Sequence, residues 1–267
     1  MGELIFIGLG LYDELGLSLR GQAEAIACDH VFAEFYTNIM PGLNIENLAR
    51  LISKPVEVLS RKEVEEDAEL RILSKAKSGT VAFLVAGDPM VATTHVDLRL
   101  RAEEAGIRTR IVHAASVASA AAGAAGLQSY KFGRTVTVPV SQRNELPESI
   151  YAALKANFEA GLHSLILLEI DVEGHRRMTI PQALQQLLTF SARTKDHLVR
   201  PETLMVGIAR LESPYMIVRA STALDLMSID FGQPPYCLVF PSKLHFVEAE
   251  ALQTFCGAPG ELVGSTN

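Results

Sequence analysis

Five short apolar runs, spaced by helical patterns, limit what the first third of this chain can become. "ELIFIGLGLY", "HVFAEFY", "PVEVLS", "TVAFLVAG" and "IRTRIVH" read as strands, and residues 15–28, 44–53, 61–79 and 94–106 read as helices between them. The strands are apolar almost throughout instead of alternating, so both of their faces must be covered. Strand–helix alternation of this kind dictates a parallel sheet with helices on both faces. "RKEVEEDAELRILSKAKSG" places acids early, lysines late and Gly79 just past its end, which predicts one charged amphipathic helix.

The second half has another rhythm. "RTVTVPV", "SLILLEI", "TLMVGIAR", "YMIVRAS" and "YCLVFP" read as strands, with an Ala-rich helix before them and helices near 147–160, 180–193 and 248–255. The strands at 203–210 and 215–221 lie too close for a helical crossover and are expected to pair antiparallel. The predicted fold is therefore α/β in two domains, with boundaries at 1–115 and 116–267. The first holds a mostly parallel five-stranded sheet with helices on both faces, and the second a mixed α/β sheet.

The chain is long enough for this, at 267 residues with 48% apolar and 21% charged residues. A net charge of −7 makes it a poor electrostatic partner for nucleic acid. Cys28, Cys237 and Cys256 are odd in number and widely spaced, which argues against a disulfide framework or a zinc site and for a reducing, cytoplasmic setting. No signal peptide is legible in "MGELIFIGLGLYDE". Residues 111–130 carry no Asp, Glu, Lys or Arg, but their Ala, Ser and Gly content reads as a buried helix and not a membrane span.

Several motifs sit where a parallel sheet binds ligands, outside the carboxyl ends of its strands. Gly8-Leu9-Gly10-Leu11-Tyr12-Asp13 follows the first strand, but Asp13 stands where a dinucleotide fingerprint needs its third glycine. Glu34, after the second strand, could imitate the acid that binds a ribose. Gly87-Asp88-Pro89 closes the fourth strand, and Asp88 there serves either a ligand or the following turn. Thr93 or Thr94 suits the cap of the next helix, and His95 suits a structural place at its start. Ser116 is placed either to meet a ligand or to cap the Ala-rich helix. In "GLQSYKFGRT", Lys131 and Arg134 form either a cationic pair for a carboxylate or a solvated loop. No Walker motif, hydrolase elbow or metal-binding histidine spacing occurs, so no metal is expected.

"IGLGLYDE", "VFAEFYT", "GDPMVATTH", "GLQSYKFG", "MTIPQALQQLL", "VGIARLES" and "FGQPPYCLVFPSKLHFVEAEAL" together resemble the diphthine synthase family. The Gly-Asp-Pro element is shared more widely with tetrapyrrole methylase-like methyltransferases. The resemblance implies a cytoplasmic homodimer with an S-adenosylmethionine cleft between two α/β domains, releasing S-adenosylhomocysteine. It implies methylation of the amino group of a 3-amino-3-carboxypropyl histidine on elongation factor 2, giving diphthine. Its cofactor contacts fall, by motif, on Leu11, Asp88, Val91, Ser116, Val117, Leu168, Leu211 and Tyr236. Tyr236 stands where the family usually has His, and no catalytic residue is implied. The alternatives are a precorrin-type tetrapyrrole methyltransferase, a non-catalytic nucleotide- or S-adenosylhomocysteine-sensing module and, more distantly, an NAD-dependent oxidoreductase.

Overall fold

A computed structural model describes residues 2–140, 145–172 and 174–264, which divide into two compact units, Met1–Val117 and Ala118–Asn267. In the first unit, strands β1 (Glu3–Gly8), β2 (His30–Glu34), β3 (Glu57–Leu59), β4 (Thr80–Val85) and β5 (Arg108–Val112) form a parallel sheet in the order β3-β2-β4-β1-β5. Helices α1 (Leu19–Ala27), α2 (Ile45–Leu51), α3 (Arg61–Glu65), α4 (Ser74–Ser78) and α5 (His95–Glu104) cross between strands.

Alternate side chains of the same strands serve two cores, which is why those strands read as continuously apolar. Leu4, Phe6, Phe32, Val81 and Phe83 pack on one face with Val64, Ile72 and Leu98. Ile5, Ile7, Val31, Ala82 and Leu84 pack on the other with Leu17, Ala25 and Leu48. Phe32, Phe83 and Phe6 stand in register on three adjacent strands, and the last two rings meet edge to face at 5.9 Å.

The helix expected over 61–79 is not continuous. A π-helical turn, Glu69–Leu73, interrupts it between α3 and α4. The Asp67 N–H already reaches back five residues to the Lys62 carbonyl at 3.0 Å. The wider turn brings Ile72 and Leu73, neighbours in sequence, into the same core.

The second unit opens with α6 (Val117–Ala125). Its strands are β6 (Val136–Val138), β7 (Ser164–Leu168), β8 (Ile170–Asp171), β9 (Arg176–Arg177), β10 (Leu204–Ala209), β11 (Ile217–Thr222) and β12 (Tyr236–Phe240). The main sheet runs β11-β10-β12-β7-β6, with β6 and β7 parallel and every other pairing antiparallel. The expected antiparallel pairing of 203–210 with 215–221 is present as β10 and β11. Helices α7 (Glu148–Glu159), α8 (Ile180–Thr194), α9 (Ala223–Leu226), α10 (Phe246–Cys256) and α11 (Gly260–Gly264) complete it. The two-residue strands β8 and β9, and the short helices α9 and α11, were not foreseen from the sequence. All three cysteines are free and buried. Among the described residues no helix is long and apolar enough to cross a membrane.

Candidate active site

The three strands at the middle and edge of the first sheet, β4, β1 and β5, end side by side. Their carboxyl ends approach so closely that only glycine fits at position 8, where a Cβ would lie 2.5 Å from the Gly87 carbonyl oxygen and 2.7 Å from the Ala114 methyl. Gly10 and Gly87 exchange backbone hydrogen bonds of 3.4 and 2.7 Å, and both have positive φ. No atom lies within 4 Å of the Cβ position at Gly87, so its backbone faces open space. This is the edge at which parallel sheets bind ligands.

Asp88 organises that edge. Its side chain is 7% exposed. Oδ1 accepts from the Met90 N–H at 3.0 Å, closing the turn after Pro89. Oδ2 accepts from the Ala114 N–H at 3.3 Å and from Nδ1 of His113 at 2.8 Å. The carboxylate therefore caps its own turn and also reaches past the end of β1 to the segment after β5. Three donors among the described residues meet its roughly four acceptor positions, leaving one on Oδ1 for a ligand. Leu11, buried, follows the glycine turn on β1, and Val91, partly exposed, follows the turn of Asp88. Buried Ser116 and then Val117 lead from β5 into α6. These five predicted positions converge at one sheet edge.

Glu34 does not wait for a ribose. It is fully buried, and Oε2 accepts from the N–H groups of Tyr36 and Thr37 at 3.1 Å each. Oε1 accepts from the Thr37 hydroxyl at 2.5 Å and lies 3.4 Å from Nε2 of His95. The other ring nitrogen of His95 faces the Pro89 carbonyl at 3.3 Å, and a carbonyl only accepts, so Nδ1 carries the proton. Desolvation pushes the His95 pKa down to about 4, so its Nε2 is a bare lone pair at neutral pH. Burial also raises the Glu34 carboxyl. Nε2 of His95 has no hydrogen-bond partner among the described residues, and its Nδ1–H holds the Gly-Asp-Pro loop through the Pro89 carbonyl. Thr94 is the N-cap residue of α5 but makes no side-chain capping bond, and the His95 N–H donates instead to the Thr93 hydroxyl at 3.4 Å. Because a glutamine amide can donate to Nε2 while its oxygen still accepts from the Tyr36 and Thr37 N–H groups, Glu34→Gln is expected to cost under about 1 kcal/mol of stability. Glu34→Ala, which orphans the buried N–H groups of Tyr36 and Thr37, is expected to cost about 2–3 kcal/mol, read by urea unfolding of both variants.

In the second unit, Leu168, Leu211 and Tyr236 gather at one end of the sheet. Tyr236 pairs in register with Ala209, two residues before Leu211, and Cys237 pairs with Leu167. The Tyr236 hydroxyl donates to the Gly232 carbonyl. Between them Arg210, 9% exposed, spreads its guanidinium over three carbonyls. Nε and Nη2 donate to Tyr215 at 3.1 and 2.8 Å, and Nη1 donates to Phe231 and Gln233. Gly232 leaves room for it, since a Cβ there would sit 2.9 Å from Nη1.

Lys131 and Arg134 do not act as a pair: Lys131 is engaged by protein groups, whereas Arg134 is exposed with its backbone held. Lys131 Nζ is bonded to Glu248 and donates to the Lys243 carbonyl at 2.7 Å. The Arg134 backbone is clasped on both sides by the Asn157 amide, at 3.0 and 2.9 Å. Glu248 is fully buried at the end of the sheet opposite Leu168. It accepts from the Gln128 N–H at 2.9 Å, the His245 N–H at 2.8 Å and His163 Nε2 at 3.0 Å. His163 Nδ1 in turn accepts from the Ser242 N–H at 3.0 Å, which places its proton on the nitrogen facing Glu248. Two of the sequence motifs, "GLQSYKFG" and "KLHFVEAE", meet in this cluster.

His113 was overlooked in the sequence, although a histidine at the end of a parallel strand stands where ligands bind. Its side chain is 69% exposed, while the carboxylate it leans on is buried.

The geometry has counterparts. Residues 3–208 match the family model of Tetrapyrrole (Corrin/Porphyrin) Methylases. The diphthine synthase of Methanothermobacter thermautotrophicus is 46% identical over 261 residues, covering 97% of this chain and 98% of that protein. The diphthine synthase of Methanosarcina barkeri is 46% identical over 262 residues, covering 96% and 97%. A crystal structure of diphthine synthase aligns with a TM-score of 0.88 at 36% identity, over 98% of this chain and 99% of that one.

Proposed function

The chain belongs to the diphthine synthase family of the tetrapyrrole methylases, and on that premise we propose that it methylates the amino group of a 3-amino-3-carboxypropyl histidine on elongation factor 2, forming diphthine. The methyl donor in this reading is S-adenosylmethionine, which supplies a methyl group on a sulfonium leaving group. The observation that carries the reading is the convergence of Leu11, Asp88, Val91, Ser116 and Val117 at the carboxyl edge of the first sheet. Their chemistry suits such a ligand. Open backbone at Gly87 and one remaining acceptor position on Asp88 match its hydroxyl and amino groups, and Leu11, Val91 and Val117 match its apolar parts. Leu168, Leu211 and Tyr236 are the contacts we assign to the second unit. Tyr236 directs its hydroxyl to Gly232, so its contribution to the cofactor is backbone and ring face.

The chain's own work in this reaction is to bind, to orient and to keep water out. A sulfonium donor requires an amine with a free electron pair in line with the methyl carbon. Likeness over nearly the whole chain, beyond residue 208 where the broader model stops, favours the diphthine reading over a tetrapyrrole substrate. The same reading carries a homodimer working in the cytoplasm.

Purified protein, labelled S-adenosylmethionine and elongation factor 2 bearing the aminocarboxypropyl histidine should yield labelled factor. Cofactor bound by calorimetry with no label on the factor would rule the reading out. Asp88→Ala is expected to weaken cofactor binding at least tenfold, about 1.4 kcal/mol. Unchanged affinity in the folded variant would leave Asp88 with only its turn and its bonds to His113 and Ala114.

A further inference from the structure

We propose that His113 is the catalytic base that takes a proton from the acceptor amine before each methyl transfer, with Asp88 as the residue that holds its ring; this rests on the methyltransferase reading above. His113 is the first residue after β5, at the same sheet edge as the Gly-Asp-Pro turn. Its Nδ1 lies 2.8 Å from Asp88 Oδ2. An ionised carboxylate only accepts, so Nδ1 carries the proton and Nε2 keeps its lone pair. Asp88 is buried and the histidine side chain is 69% exposed, so the fixed acceptor stands behind the ring and the free nitrogen is accessible in front. A carboxylate in that position sets the tautomer and stabilises the imidazolium once it forms.

Other features single out this histidine. His95 and His163 are fully buried, with both ring nitrogens facing protein groups. β4 and β5 are not neighbours, since β1 lies between them, so Asp88 reaches His113 across the end of β1. The absence of a side chain at Gly8 opens that route. Asp88 is the titratable partner of the ring among the described contacts, and Arg108 and Arg110 on the same strand are engaged by Glu3 and Glu24.

The proton balance is complete. The substrate arrives as R–NH3+, gives one proton to Nε2 and becomes R–NH2 with a free electron pair. That pair forms the N–C bond as the C–S bond breaks, and the electrons of the broken bond stay on sulfur. The imidazolium returns its proton to water. The product ammonium again carries a proton, so each further transfer needs the base again.

The test uses the full chain and His113→Gln. An amine of pKa roughly 8 to 10 is about 90 to 99.9% protonated at pH 7. Methyl transfer by His113→Gln is therefore expected to fall at least tenfold at pH 7 and to approach the wild-type rate above pH 10. Calorimetric affinity for S-adenosylmethionine should stay within about threefold of wild type. Imidazole 15N resonances of the cofactor-free protein should show His113 protonated at Nδ1 and bare at Nε2 near pH 8. Equal rates at pH 7, a deficit that is the same at every pH, or a proton on Nε2 would each overturn the proposal while leaving the methyltransferase reading intact. A wild type that transfers no label takes both down together.

Discussion

Glu248→Ala is expected to lower the melting temperature by roughly 10 °C, the largest loss of any single truncation considered for this chain. Glu248 is a fully buried carboxylate at the start of α10 that gathers two backbone N–H groups, the His163 ring and the Lys131 ammonium. Removing the carboxylate leaves the Lys131 ammonium without its counter-charge and the two N–H groups and the buried His163 ring without their acceptor, at about 3–5 kcal/mol. For a chain of this size each kcal/mol shifts the midpoint by about 2–4 °C. Glu248→Gln keeps the two acceptor contacts only in part and should fall between. The same carboxyl predicts acid sensitivity. Its hydrogen bonds outweigh desolvation and hold it at about 2, against an ordinary 4.5. A depressed carboxyl stabilises the folded state fully above the unfolded value, and the contribution fades as pH falls from 4.5 toward 2. Midpoints of urea unfolding measured from pH 6 down to pH 3 should fall for wild type, and fall less for Glu248→Gln. Parallel curves for the two proteins would remove Glu248 from the account.

Arg210→Ala should cost about 3 kcal/mol, because charged hydrogen bonds to the carbonyls of Tyr215, Phe231 and Gln233 are lost together. Arg210→Lys should recover less than half of it. A lysine ammonium is a point charge and cannot reproduce the guanidinium fork across three carbonyls. Both variants can be measured by chemical denaturation. The functional consequence follows from position, since Arg210 adjoins Leu211 and its acceptors flank Tyr236. On the cofactor contacts proposed above for Leu211 and Tyr236, calorimetry of the folded Arg210→Lys protein is expected to show weaker S-adenosylmethionine binding. A lysine variant as stable as wild type would mean that the guanidinium fork contributes little.

How much of this was legible in the sequence depends on range. The parallel sheet was legible because each strand announces itself locally, and strands covered on both faces read as continuous apolar runs. The antiparallel pairing of β10 and β11 was legible because a short connection permits nothing else. The π-turn near Asp67 was not, because its reason is the need of Ile72 and Leu73 to reach one core, which no local pattern records. Glu34 looked like an acid free to bind a ribose, and it is sealed by Tyr36, Thr37 and His95. Lys131 looked solvated or poised for substrate, but its partner Glu248 is 117 residues away. The Asp88–His113 contact was hidden for a related reason. It depends on β1 standing between β4 and β5, a fact of topology that residues 25 apart cannot express.

The place of β1 in its sheet also bears on how the chain is made. β1 is complete by Gly8, yet its two neighbours are Thr80–Val85 and Arg108–Val112. At roughly 5–20 residues per second of synthesis, β1 spends about 5–20 s outside the ribosome before its second neighbour emerges. During that interval an apolar ribbon with two open edges is exposed to any other nascent chain nearby. Polysomes translating this message should therefore be richer in chaperone on nascent chains whose β5 has not yet emerged than on those whose β5 has. The glycine-tight edge that gathers the candidate site is thus the last part of its sheet to close.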